Sequence, residues 1–228
     1  MKRLAFTLFL SLVLFAPMLC NAQGKLYTRK TKLEDFPSKI TKVVLSGNPI
    51  LDTSIKEEIA SRWRISPYEF CTIAEYEAQK ESTSYYFLKF ASDDEFTYLI
   101  AAKGGKAKDS NAMKEGFDIV AIPIAPAGAA PGKEFIYLPA YFDIIQDYIE
   151  KARLSERVAY TGLKAIAVGG SESAVVSDPE EAEALFLDNA AGRKIVVTIT
   201  GTSGGKAYRM VIGTDTHKLH SFRKISVK

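Results

Sequence analysis

Two histidines, one cysteine outside the N-terminal leader and a few glycine-rich turns are where this 228-residue chain could do chemistry. His217 and His220 lie three residues apart, around a stretch that reads as a turn. Two imidazoles can begin a metal site, but zinc takes three or four ligands, and Asp215 is the one carboxylate close by. The pair therefore reads as histidines of a surface turn. Cys71 stands between Phe70 and Thr72 in a strand-like run, which suits a small buried hydrophobe. A nucleophilic thiol would need a paired histidine and an electropositive, accessible setting.

The glycine-rich runs carry no better signal. Gly201-Thr202-Ser203-Gly204-Gly205-Lys206 is one residue short of the phosphate-loop spacing, and Ala207 stands where a hydroxyl should hold magnesium. A strand follows it, so no helix N-terminus would face an anion. It reads as a hairpin turn. Gly104-Gly105-Lys106 and Gly169-Gly170-Ser171 fail in the same way, and Gly170-Ser171-Glu172-Ser173-Ala174 lacks the second glycine of a nucleophile elbow. Glu75 and Glu77 could be a carboxylate pair only if one were buried. Asp93, Asp94 and Glu95 read as a solvated hairpin tip. Tyr85, Tyr86, Tyr98, Tyr137, Tyr141 and Tyr148 either line a groove or pack a sheet against a helix. The sequence thus offers no catalytic, cofactor-binding or metal-ligating residues and implies no cofactor.

The elements that would have to position any site are easier to read. Thr41 to Glu77 reads as strand, turn, amphipathic helix, loop and strand. Leu51, Ile55, Ile59 and Trp63 recur every four residues and fall on one side of a helix. Asn48 before Pro49, or Asp52, could cap it; Asp52 is preferred because the period is clean from there. Two strands joined through a helix predict a parallel βαβ unit. Ser84–Ala91 and Phe96–Ala102 predict a hairpin, and Phe117–Ile124 a third strand. Tyr141, Ile145, Tyr148, Ile149 and Ala152 share one face of the strongest helix, beginning at Pro139, with Asp143 and Gln146 on its wet side. Short helices are expected over Ser155–Gly162 and from Asp178 to Phe186. Lys194–Thr200, Tyr208–Gly213 and Leu219–Val227 predict a three-strand antiparallel meander. The expected fold is α+β: a single domain with a mixed sheet, an N-terminal βαβ unit, antiparallel hairpins and the C-terminal meander. Val44, Ile55, Ile59, Trp63, Phe87, Ile145, Ile149, Val196 and Val211 are its expected core.

The N-terminus reads as an export signal. Lys2 and Arg3 precede the apolar run Leu4–Leu19, and Cys20-Asn21-Ala22 supplies a small residue for cleavage. The apolar run is shorter than the roughly 20 residues of a membrane span. Lipid attachment at Cys20 is the alternative, although Leu19 stands where a small residue is usual. The expected organisation is therefore a signal peptide over 1–22 and one domain over 23–228. Without the leader, basic and acidic residues nearly balance, and no concentrated basic face points to nucleic acid. Cys71 is then the sole thiol, so no disulfide can close within the chain.

The signal ending in Asn21-Ala22-Gln23, the segment from Asn48 to Glu77 with Pro67-Tyr68-Glu69-Phe70-Cys71, and Gly213-Thr214-Asp215-Thr216-His217-Lys218-Leu219 resemble uncharacterised secreted proteins of Bacteroidetes-type bacteria. That resemblance carries no assigned function and implies export from a bacterial cytoplasm. The βαβ unit alone is similar to amino-terminal domains of periplasmic envelope proteins of the TolB type, an analogy of fold only. The sequence favours an exported periplasmic or secreted protein, a non-catalytic module that binds a protein partner of the cell envelope. It expects no transmembrane segment after cleavage. A hydrolase with an unrecognised site is the alternative. The polar loops Lys103–Glu115 and Ala125–Gly132 are of a size that carries recognition.

Overall fold

In the computed structural model, residues 33–105, 117–129, 132–167 and 175–227 are described. The fold is α+β, with two mixed sheets. The first has five strands and the second four.

The N-terminal unit forms as its periodicity dictates. Strand β1 (Ile40–Val44) leads into helix α1 (Pro49–Arg62), and β2 (Tyr68–Cys71) returns parallel to β1. Leu51, Ile55 and Ile59 are the buried face of α1. Its start differs from expectation. Asn48, not Asp52, is the cap: its Oδ1 accepts from the amides of Ile50 (3.0 Å) and Leu51 (3.3 Å), and Pro49 occupies the first turn. Asp52 folds back instead, and its carboxylate accepts from the Ser46 and Gly47 amides at 2.7 and 3.1 Å. The tight turn this requires runs through Gly47, at φ +82°.

Thr72 and Glu75 form a reciprocal capping box at the head of α2 (Ile73–Gln79). Strand β3 (Tyr85–Ser92) then adds parallel to β1 on the side away from β2. Strands β4 (Phe96–Lys103) and β5 (Phe117–Pro126) continue the sheet antiparallel. Of the two loops expected to carry recognition, Lys103–Glu115 lies mostly outside the described residues. Ala125–Gly132 begins as strand, because β5 runs on to Pro126.

The strongest helix is α3 (Leu138–Leu154). Tyr141, Ile145, Tyr148 and Ile149 are all at 0% exposure. The short α4 (Glu156–Thr161) follows, and the Tyr148 hydroxyl donates to the Ala159 carbonyl at 3.1 Å, pinning it to α3. Burial pushes that phenol up to about 12. A two-residue strand, β6 (Val175–Val176), precedes α5 (Pro179–Leu187), whose cap Asp178 accepts from the Glu181 amide at 2.9 Å. The meander is β7 (Lys194–Thr200), β8 (Lys206–Gly213) and β9 (Leu219–Ser226), with β6 added parallel to β7.

All nine expected core residues are buried. One apolar cluster takes in residues of α1, α3, β4, β5, β7 and β8. A small second cluster, Val44, Cys71, Tyr76 and Phe87, lies where β1–β3 meet α2. The two sheets meet through aromatic edges: Phe96 and Tyr98 stand edge-on to Tyr208 at 5.0 and 6.5 Å. Among the described residues no helix is long and apolar enough to cross a membrane.

Candidate functional site

Four charged or titratable side chains from three separate elements converge on one edge of the molecule. Glu58 and Arg62 sit one turn apart on α1, so they share a face. Arg62 Nε donates to Glu58 Oε2, and its Nη1 donates to Asp143 Oδ2 of α3 at 3.0 Å. The same Oδ2 accepts from His217 Nδ1, in the β8–β9 turn, at 2.6 Å. A carboxylate can only accept, which assigns the ring proton to Nδ1. Arg62 Nη1 and His217 Nδ1 lie 3.4 Å apart because both are aimed at one oxygen. The other oxygen of Asp143 is oriented by the buried Gln146, whose Nε2 lies 3.4 Å away and whose Oε1 accepts from the Arg64 amide at 2.8 Å. Asp143 and Gln146, both expected on the wet side of α3, receive the turn, but Gln146 is buried there.

His217 is held with unusual definition for a turn residue. Its backbone is left-handed, at φ +52°, and its amide bonds to the Gly213 carbonyl at 3.0 Å. The ring stacks on Phe186 of α5 with centroids 5.3 Å apart and planes 25° from parallel. Tyr137 meets the Phe186 ring edge-on at 4.9 Å. Only 10% of the His217 side chain is exposed, against 30% for Asp143 and 29% for Arg62. The turn forms as expected, but His217 is not the surface residue expected in it. A histidine packed between a phenyl ring and a carboxylate is not a solvated turn residue. His220 does not join it: burial and the charges of Lys194 and Lys218 push that imidazole down.

These groups line a cleft of about 530 Å³, with Ile136, Pro139, Phe186 and Leu187 as its apolar side. Asn189, at φ +49° just past α5, and Asp215 complete the rim. Asp215 accepts from the Gly192 amide at 2.9 Å, and that bond holds its carboxyl below the ordinary range. Among the described residues the one hydroxyl in the lining belongs to Thr216. It is turned back on its own turn, where Oγ1 accepts from the Lys218 amide at 3.5 Å.

The remaining sequence candidates have structural employment. Cys71 is buried, and burial pushes its thiol up, away from the reactive thiolate. Glu75 caps α2 and Glu77 pairs with Lys80 at 2.7 Å, so they do not face each other as acid and base. Tyr86, Tyr98, Tyr141 and Tyr148 are buried core residues. Gly201–Lys206 is a hairpin turn, and it is occupied by the protein itself. The Glu95 carboxylate accepts from the Ser203 hydroxyl at 2.7 Å and the Ser203 amide at 3.2 Å. The Thr202 hydroxyl donates to the Asp94 carbonyl at 2.8 Å. The expected solvated tip Asp93-Asp94-Glu95 is therefore a docking point between sheets, with Asp93 Oδ1 accepting from the Phe96 amide at 2.6 Å. Gly169-Gly170-Ser171 lies outside the described residues.

Among the described residues no group of three or more histidine, cysteine or acidic side chains could hold a metal ion. No protein-family model matches the chain, and neither a curated protein nor a solved structure matches it.

Proposed function

We propose that this is an exported bacterial protein of the periplasm, cell surface or medium, and that it acts as a non-catalytic binding module. Its recognition surface is the cleft framed by Glu58, Arg62, Asp143, Phe186 and His217. The observation that carries this reading is the combination of prearranged polar groups with a continuous apolar side. The ionisable groups are locked to one another before any partner arrives, and Ile136, Pro139, Phe186 and Leu187 offer area to bury. Among the described residues the lining holds no thiol, and its one hydroxyl, that of Thr216, accepts from the Lys218 amide within its own turn. Export rests on the leader, Lys2-Arg3 followed by Leu4–Leu19 and Cys20-Asn21-Ala22.

One observation favours a second reading, a hydrolase. Asp143 fixes the His217 tautomer so that Nε2 is a proton acceptor, as a general base that activates water requires.

Site-specific photo-cross-linking in the native cell separates the two. A cross-linker at Asn189, on the rim, should capture one discrete protein species; the same group at Ile50, exposed on α1 and outside the lining, should not. Turnover of an ester, peptide or glycoside that disappears in His217→Ala would replace the binding reading with the hydrolytic one.

A further inference from the structure

Building on the binding reading, we infer that the cleft accepts a basic side chain, arginine or lysine, of a polypeptide partner.

The argument starts from which atoms in the lining still seek a partner. Nδ1 of His217 is committed to Asp143, so in the neutral ring Nε2 can only accept. It has no hydrogen-bond partner among the described residues, and it is not among their buried unpaired polar atoms. The ring is nine-tenths covered, and His217 lines the cleft. Glu58 binds Arg62 through Oε2, leaving Oε1 as a second acceptor. Asp143 Oδ1 receives one long bond from Gln146, and the Asp215 carboxylate stands on the rim. Arg62 Nη2 and the Asn189 amide are the donors the lining keeps, and the acceptors, His217 Nε2, Glu58 Oε1, Asp143 Oδ1 and the Asp215 carboxylate, outnumber these groups.

Charge points the same way. Three carboxylates, Glu58, Asp143 and Asp215, face one guanidinium, Arg62, which already engages two of them. The excess is negative and lies beside low-dielectric walls, where it attracts cations most strongly. Leu187 also lines a neighbouring depression with Glu180, Glu183 and Ala184, so the acidic character continues along α5. An ammonium or guanidinium brings several N–H donors, and its aliphatic stem can lie along Pro139, Phe186 and Leu187. A peptide that alternates basic and apolar residues satisfies both halves of the cleft at once.

The test uses the full chain and a defined probe, the hexapeptide acetyl-Ala-Arg-Leu-Arg-Leu-Ala-amide, with a twin carrying glutamate for both arginines. Binding is read from the NMR resonances of the His217 ring and the Phe186 ring. The arginine peptide should shift both. Its affinity should fall about tenfold in ~0.5 M NaCl and about threefold in Asp215→Asn, which keeps the acceptor but removes the charge. Glu58→Gln should act in the same direction. If the glutamate peptide shifts these resonances as strongly, the cleft remains a recognition site and the cationic assignment falls. If neither peptide shifts them, the assignment also falls, while the binding reading is still judged by the Asn189 cross-link. Spermidine binding as tightly as the arginine peptide would overturn the polypeptide partner in favour of a free polyamine.

Discussion

The meander has two hairpin turns, and the molecule treats them in opposite ways. The β7–β8 turn is closed from within: Glu95 reaches out of the first sheet, its carboxylate accepting from Ser203, and Thr202 bonds back to the Asp94 carbonyl. The β8–β9 turn is fastened on one side only. Asp143 takes Nδ1 of His217, Phe186 takes a face of the ring, and Nε2 is left without a partner among the described residues. Both turns bring a side chain of one element onto another across a long stretch of sequence. The first uses its polar groups to join two sheets, and the second holds some back. Residue types alone do not distinguish the two roles, since each pairs an acid with a polar turn. What separates them is whether the partner satisfies every group it meets.

Substitutions can break or sharpen that contrast. The largest effect should come from Ile59→Asp, on the buried face of the helix that presents Glu58 and Arg62. An unpaired carboxylate in a site with 0% exposure should cost about 4 kcal/mol in denaturant unfolding. A variant that unfolds like the parent would remove α1 as the foundation of the open turn.

Next is Gly201→Ala in the closed turn. A Cβ there would meet Glu95 Oε2 and stand 2.9 Å from Phe96 Cζ, so about 2 kcal/mol of stability should be lost. His217→Ala in the open turn should cost less, about 1 kcal/mol, because it removes one partly exposed hydrogen bond and a stacked ring. If the order is reversed, the open turn is the more structural of the two.

The smallest effect should be a pH dependence at the closed turn. Hydrogen bonds from the Ser203 hydroxyl and amide hold the Glu95 carboxyl below its ordinary value of 4.5. Its contribution is complete above that value and is lost as pH falls through the lower, folded one. Thermal unfolding of Glu95→Gln and of the parent should therefore differ near neutrality and converge in acid. A gap that widens in acid would mean that the carboxylate does not hold the turn.

Local pattern explains much of what the sequence made legible. Helix α3 was visible because Tyr141, Ile145, Tyr148 and Ile149 repeat with the helical period, and the meander because apolar runs alternate with glycine turns. Even the start of α1 was available: an Asn followed by a first-turn Pro outweighs an Asp four residues on, whose carboxylate is free to fold back. The site was not legible, because its meaning is in pairings. Asp143 is one polar residue among several on the outer face of α3, and nothing near it in sequence announces a histidine from the last hairpin. Glu95 likewise sits in an acidic run that reads as solvated until Ser203 is brought to it.

The frame of the cleft also has a history in time. Arg62 and Asp143 are 81 residues apart, Asp143 and His217 are 74, and Arg62 and His217 span 155. Contacts at such separations require large chain loops to close, and they form late relative to helices and hairpins. While the chain is being made, α1 and α3 can be in place with Asp143 still waiting for His217. A chain cut short before the last hairpin retains Glu58, Arg62 and Asp143 yet has no imidazole to complete the frame. The frame is therefore complete only once the β8–β9 hairpin has been made and docked against α3.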